Sequence, residues 1–258
     1  MTETTDTISA CLRLLRSKGL RYSTVMDIGC ADGHFFLQHY AEGEFEGATC
    51  VNIDANPVYE PSLQSIRDVV GGHYLIAAVT NREGATAMDA SVHPYWGSLC
   101  PDGDAYWEQI NRLAGTKILV RTVTLDGVVK ALALRPPFLV KLDVQGGEIE
   151  TLSGGRETLR QTDVVICETG PQDFRGVDRL MEEGGLSLFD VTEPRRIADQ
   201  SLGWFHPVYL SRRLDHIRRR SFWDARFNEL VVNLQNERRT HVLAYTSEML
   251  EKIRLKQK

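Results

Sequence analysis

The chain has 258 residues, 42% hydrophobic and 25% charged, enough to fill one large core or a core with a helical appendage. A formal net charge of −5 and a pI near 5.8 argue against chain-wide affinity for nucleic acid or an anionic membrane. No secretory leader is visible, no apolar stretch could span a bilayer, and the five cysteines form no C-x-x-C pair, so a cytoplasmic protein without a zinc site or disulfide framework is expected.

In chain order, residues 7–19 read as a helix, with Ile8, Cys11, Leu12 and Leu15 at helical spacing and Gly19 as the stop. Residues 24–28 form a first strand. It runs into a loop punctuated by Gly29 and Gly33, and Phe35, Phe36, Leu37 and Tyr40 follow as a helix packing on the sheet. Residues 48–53 are a second strand ending in Asp54. Pro57 opens the next helix, whose face is Leu63, Ile66, Val69 and Val70, and residues 74–79 are a third strand. This βαβαβ pattern predicts a parallel sheet with right-handed crossovers and a ligand crevice beyond the strands' carboxyl ends.

From Asn81 to Arg112 the rhythm breaks. The stretch 93–107, with four large aromatics, reads as an excursion over the sheet, either a folded surface insertion or a substrate lid. Strands are then expected at 117–123, 137–143 and 163–168, and helices at 125–134, 148–159 (interrupted by Gly154 and Gly155) and 174–183. Two late strands, 186–191 and 206–210, close the sheet with an antiparallel pairing. From Ser221 the spacing of Phe227, Leu230, Val231 and Leu234, then Val242, Tyr245, Met249 and Ile253, is helical, a tail suited to packing or to a homodimer contact.

The chemistry centres on Val25-Met-Asp-Ile-Gly-Cys-Ala-Asp-Gly-His34. A dinucleotide fingerprint needs a middle Gly where this chain has Ala31. Asp27 before Gly29-x-x-x-Gly33 instead matches the way methyltransferases hold S-adenosylmethionine, which has no pyrophosphate to cradle. Asp54 lies 21 positions past Gly33, near the distance at which a carboxylate takes the vicinal hydroxyls of an adenosine ribose.

Further on come Lys141-Leu-Asp-Val-Gln-Gly-Gly-Glu-Ile-Glu-Thr-Leu152, then Gly154-Gly155, then an apolar strand ending in Glu168. Together with the upstream loop, the Asn52-to-Pro57 strand end, Thr124-Leu-Asp126 and the aromatic strand near Trp204, this arrangement resembles the FkbM family of S-adenosylmethionine-dependent O-methyltransferases. The resemblance covers about residues 24–213 and implies an α/β fold, a doubly wound, mostly parallel Rossmann-like sheet with helices on both faces. The expected organisation is a domain over 1–213 with an insertion at about 81–116, then a helical extension over 214–258. Carried over by residue, Asp27, Gly29, Ala31 and Gly33 would line the methionine part of the cofactor, Asp54 its ribose, and Ala78 and Val79 its adenine. Asp143 would lie beside the reacting centre, and Glu148 and Glu168 at the catalytic edge or in architectural roles.

The implied reaction is methyl transfer to a hydroxyl of a sugar, glycan or secondary metabolite, with Asp143 or Glu148 as the base and Glu168, His34 and His93 as further candidates. A metal is not expected, since no spacing favours a carboxylate-held Mg²⁺. A methyltransferase-like binding or assembly subunit and a nicotinamide oxidoreductase are the competing readings. The basic stretch 212–226 is either a solvated joint or an arginine clamp for an anionic acceptor.

Overall fold

A computed structural model of the chain describes residues 7–90, 116–217 and 250. The chain divides into two compact units, Met1–Asp215 and His216–Lys258, and the sheets with their covering helices belong to the first. The helical tail expected from Ser221, and the aromatic stretch 93–107 with His93, lie outside the described residues.

The elements run α1 (Ile8–Ser17), β1 (Thr24–Ile28), α2 (His34–Ala41), β2 (Thr49–Asp54), α3 (Glu60–Val70), β3 (His73–Ile76), β4 (Ala78–Val79), β5 (Gly84–Ala90), β6 (Thr116–Val123), α4 (Leu125–Ala131), β7 (Phe138–Leu142), α5 (Glu148–Ser153), α6 (Arg156–Leu159), β8 (Thr162–Cys167), α7 (Phe174–Glu183), β9 (Leu186–Arg196) and β10 (Leu202–Ser211). Seven strands form one sheet in the order β3-β2-β1-β7-β8-β10-β9. The first five are parallel, while β10 runs antiparallel to both β8 and β9.

Every residue of β1 and β7 is buried, as a strand covered on both faces requires, and both read as apolar runs interrupted by a buried charge, Asp27 in one and Lys141 in the other. Alternation along the strands sorts the layers. Met26, Ile28, Val51, Ile53, Val140 and Leu142 pack with Leu125, Val128, Leu152, Val177 and Leu180 of α4, α5 and α7. The intervening positions Asp27, Asn52 and Lys141 face the opposite layer, where the Phe35 ring of α2 lies 5.6 Å from the Lys141 ammonium. Thr7 caps α1 by accepting from the Ala10 amide, and Gly19 takes the left-handed conformation (φ +91°) that ends it.

The structure departs from the sequence expectation in three places. The strand expected over 74–79 breaks at Ala77, whose amide donates to the Asp54 carbonyl; Ala78 and Val79 leave the main sheet and pair with Thr122 and Val123. The segment from Asn81 is not wholly irregular, because β5 pairs antiparallel with β6 along its whole length, making a separate three-stranded sheet in the order β4-β6-β5. Its small residues, Gly-Ala-Thr-Ala-Met-Asp-Ala, carry little strand propensity, so pairing rather than local preference makes it a strand. Finally, Leu37 and Tyr40 of α2 and Val69 of α3 stay exposed. On α2 the inward phase belongs to Phe35, Phe36 and His39, and Tyr40 stacks on Phe36 from outside.

Candidate active site

Strand order reverses between β1 and β7, since the chain builds β2 and β3 to one side of β1 and later strands to the other. The loops leaving the carboxyl ends of such neighbouring strands open a crevice. Hydrogen bonds continue the ladder one residue past the strands: the Asp143 amide donates to the Ile28 carbonyl (3.0 Å) and the Glu168 amide to the Leu142 carbonyl (2.8 Å). Gly29, Asp143 and Glu168 therefore stand side by side at one sheet edge.

The first loop is held by backbone geometry. Gly29, Ala31 and Gly33 all have positive φ (+72°, +50° and +82°). A side chain at Gly29 would place its Cβ 1.8 Å from the Asp143 carbonyl oxygen, and one at Gly33 would meet Ile66 Cδ1 at 2.4 Å. Asp54 fixes the loop from the next strand: its Oδ2 accepts from the Ala31 amide and its Oδ1 from the Asn56 amide, both at 2.8 Å. Burial pushes the Asp54 carboxyl above its ordinary pKa.

Beneath this loop lies a buried charge row. Lys141 Nζ stands 3.4 Å from Asp27 and 3.3 Å from Asp143, with both Lys141 and Asp27 in the interior. Burial alone would lower the Lys141 pKa, but Asp143 and Asp27 outweigh it and hold the ammonium charged. Asp143 would likewise be raised by burial, yet the Lys141 charge and hydrogen bonds from Glu168 and Gln145 hold its carboxyl well below the usual range.

Gln145 ties the acids together, its Nε2 donating to Asp143 Oδ1 (2.6 Å) and to Glu168 Oε2 (2.7 Å) from a left-handed backbone (φ +56°). Glu168 is pushed up to about 10 by burial and by its hydrogen bond and charge contact with Asp143, so this pair shares one proton at neutral pH, with Glu168 as its holder. Glu148 is spent differently: its carboxylate accepts from the amides of Val144 and Gly146 at 3.1–3.2 Å, bracing the 144–147 turn, and burial pushes its pKa up to about 7.

These groups open on one cavity of about 900 Å³. Gly29, Ala31, Asp54, Ala78, Val79, Asp143, Glu148 and Glu168 all line it. Asp27 and Gly33 do not: alternation turns Asp27 onto Lys141 in the helix-covered layer, and Gly33 packs against α3. His34 reaches the rim, where its Nδ1 lies 2.8 Å from Asp32. Contributors not singled out as site residues from the sequence include Met88 from β5, Gln145, and Trp204 at the start of β10. Gln145 sat inside the Lys141-to-Leu152 motif, and the aromatic at 204, in a strand otherwise suited to closing the sheet, was the available signal for the third.

Among the described residues, one group of three is spaced to hold a single ion, His39, Glu42 and Glu44, and none of them lines the cavity. Cys11, Cys30, Cys50 and Cys167 are buried free thiols. In the basic stretch, Arg213 pairs with Asp163 and Arg212 with Glu182, while 218–226 lies outside the described residues. No helix among the described residues is long and apolar enough to cross a membrane.

Known proteins share parts of this sequence and geometry. Over 85 residues the chain is 32% identical to the hexuronic acid methyltransferase AglP of Haloferax volcanii, a match covering 33% of this chain and 35% of that protein. The chain thus spans about a third of the length of this curated relative. Among solved structures, the methyltransferase FkbM of Methylobacillus flagellatus superposes with a TM-score of 0.44 at 14% identity, covering 76% of this chain and 46% of that one. An rRNA methylase of Streptococcus thermophilus gives 0.44 at 10% identity, covering 82% and 98%. The model of the methyltransferase FkbM domain matches residues 27–188, well over half of the chain, and the chain belongs to that family.

Proposed function

We propose that this chain transfers a methyl group from S-adenosylmethionine to a hydroxyl oxygen of a sugar, glycan or secondary metabolite. The observation that carries the reading is Asp54: a carboxylate pinned by two amides on the cavity wall, tied directly to the glycine loop, with lone pairs left over for vicinal hydroxyls. Beside it Ile53, Ala77, Ala78, Val79 and Met88 line the cavity as an apolar slot suited to a flat purine. The absent side chain of Gly29 and the single methyl of Ala31 leave room for the amino-acid end. The sugar-directed name of the Haloferax relative supports the acceptor class.

When bound, the cofactor supplies a methyl carbon made electrophilic by its sulfonium. The chain's own work is alignment, exclusion of water and management of the acceptor proton. Asp143, ionised and on the cavity wall, is the group able to accept a hydrogen bond from the acceptor hydroxyl and orient its oxygen. Glu168 holds the neighbouring proton and Gln145 fixes the spacing of the two carboxyls. Glu148 shapes the turn and acts as a positioning residue.

Calorimetry with S-adenosylmethionine, S-adenosylhomocysteine and NAD tests the cofactor assignment. Binding of the first two and not the third is expected; binding of NAD alone overturns it. Incorporation of labelled methyl into a hydroxylated acceptor tests the reaction, and cofactor binding without turnover on any acceptor would favour a binding or assembly subunit.

A further inference from the structure

The cavity runs along the carboxyl edge of the sheet well beyond Asp54. From Asp54 on β2 to Trp204 on β10 it crosses β1, β7 and β8, four strand spacings or about 19 Å at ~4.8 Å each. Asp143 and Glu168 sit partway along, so the β10 end lies on the far side of the acids from Asp54.

That far wall is built by the β9–β10 hairpin. Because β10 runs antiparallel to β8 and pairs with it only through residues 208–210, its first residues overhang the carboxyl edge of the parallel strands. The overhang is anchored next to Glu168: Thr169 and Phe205 exchange two backbone hydrogen bonds of 3.0 Å, and the Phe205 ring packs on Phe174. Ile197, Leu202 and Trp204 line the cavity from this hairpin although each is 36–40% exposed. Apolar side chains gathered on a cavity wall offer a surface for the apolar face of a ligand. Gly203 keeps it compact, since a Cβ there would meet Ile197 Cγ2 at 2.6 Å.

The polar partners have one character. Among the described residues the lining acids are Asp54, Asp143, Glu148, Asp173 and the protonated Glu168, against Lys141, already held by two carboxylates, and His34, beside Asp32. Near the hairpin the side chains of Gln172, Asp173 and Thr169 offer oxygens to hydroxyl donors. Arg195, the cross-strand neighbour of Trp204, does not line the cavity. Such a wall suits a ring with an apolar C–H face and several hydroxyls, and repels a carboxylate.

We propose that the hairpin is the acceptor subsite, with Trp204 as the stacking platform for an uncharged pyranoside whose hydroxyl is presented to Asp143. The proposal rests on the methyl-transfer reading and narrows it from sugars at large to a neutral ring, in preference to the hexuronic acid for which the Haloferax relative is named.

The test is saturation-transfer NMR on the full chain, with and without S-adenosylhomocysteine, using methyl hexopyranosides and the matching methyl hexopyranosiduronates. The neutral glycosides should saturate, Trp204→Ala should weaken them by about tenfold, and Trp204→Phe, which keeps an aromatic face, by about threefold or less. Calorimetric binding of S-adenosylhomocysteine should stay within about twofold in both variants. Uronates binding as well as the neutral ring, an unchanged Trp204→Ala, or no neutral glycoside binding at all overturns the proposal. Failure of the wild-type chain to bind S-adenosylhomocysteine would instead sink the methyl-transfer reading, and the arm without it would still report on Trp204.

Discussion

Gly29 and Asp143 touch backbone to backbone: a Cβ at position 29 would lie 1.8 Å from the Asp143 carbonyl oxygen. The glycine loop after β1 and the carboxyl end of β7 are thus packed directly on each other, because the two chain segments can approach this closely only without a side chain between them. Gly29→Ala must push the ends of β1 and β7 apart as well as adopt φ +72°. A loss of about 3 kcal/mol in stability is expected, with cofactor binding abolished; urea denaturation and calorimetry check both.

Asp54 joins the loop to β2 through two amide donors, and an amide side chain can accept at only one of its two terminal atoms. Asp54→Asn should therefore turn an N–H toward the amide of Ala31 or Asn56. We expect a loss of about 1.5–3 kcal/mol in cofactor binding, roughly 10- to 150-fold, measured by calorimetry. A change under about twofold would remove Asp54 from the cofactor site.

The shared proton makes Asp143 and Glu168 unequal. Glu168→Gln mimics the protonated partner and should retain most of the turnover, whereas Asp143→Asn removes the ionised acceptor and should lower kcat by about a hundredfold or more, with cofactor affinity little changed. Equal losses in the two variants would reverse or dissolve this assignment.

The same pair gives a pH dependence with a defined sign. Glu168 carries its proton in the folded chain up to about 10, while in the unfolded chain it ionises near the ordinary glutamate value of 4.5. Its raised pKa favours folding fully below the unfolded value, and that contribution is lost as pH rises toward the folded one. Glu168→Gln is neutral in both states and lacks this loss, so its Tm relative to the wild type should rise from about pH 5 to about pH 9. A flat difference would mean that Glu168 is ionised in the folded chain.

Much of this site was legible because strand ends in an α/β sheet mark the carboxyl edge. Asp54, Asp143 and Glu168 each follow an apolar run and each line the cavity. What stayed hidden depends on three-dimensional pairing. Asp27 also sits at a strand end, but two-residue alternation directs it to Lys141 instead of the cavity. Gln145 becomes a bridge only through a left-handed backbone, and β5 exists through its pairing with β6. Trp204 reaches the cavity because β10 is longer than β8 and overhangs its end, a length the alternation of Leu202 to Ser211 did not reveal.

The buried row Asp27–Lys141–Asp143 yields a coupled prediction. Asp27 is fully buried and, among the described residues, makes no side-chain hydrogen bond apart from its 3.4 Å contact with Lys141, so deleting that ammonium strands a carboxylate in the interior. Lys141→Met should cost about 3–5 kcal/mol near neutral pH. Burial already pushes the Asp27 pKa upward, and without Lys141 the carboxyl takes a proton more readily. The penalty should therefore shrink as pH falls, because a protonated Asp27 needs no counter-charge. Combining Lys141→Met with Asp27→Asn removes the charge on both sides and should recover much of the stability, a coupling of about 1–3 kcal/mol in a double-mutant cycle by urea denaturation. Additive losses would show that the Lys141 charge is committed to Asp143 alone. Recovery would show that Asp27 depends on Lys141 for its counter-charge, so a carboxylate absent from the cavity helps Asp143 keep the ammonium charged beneath the loop.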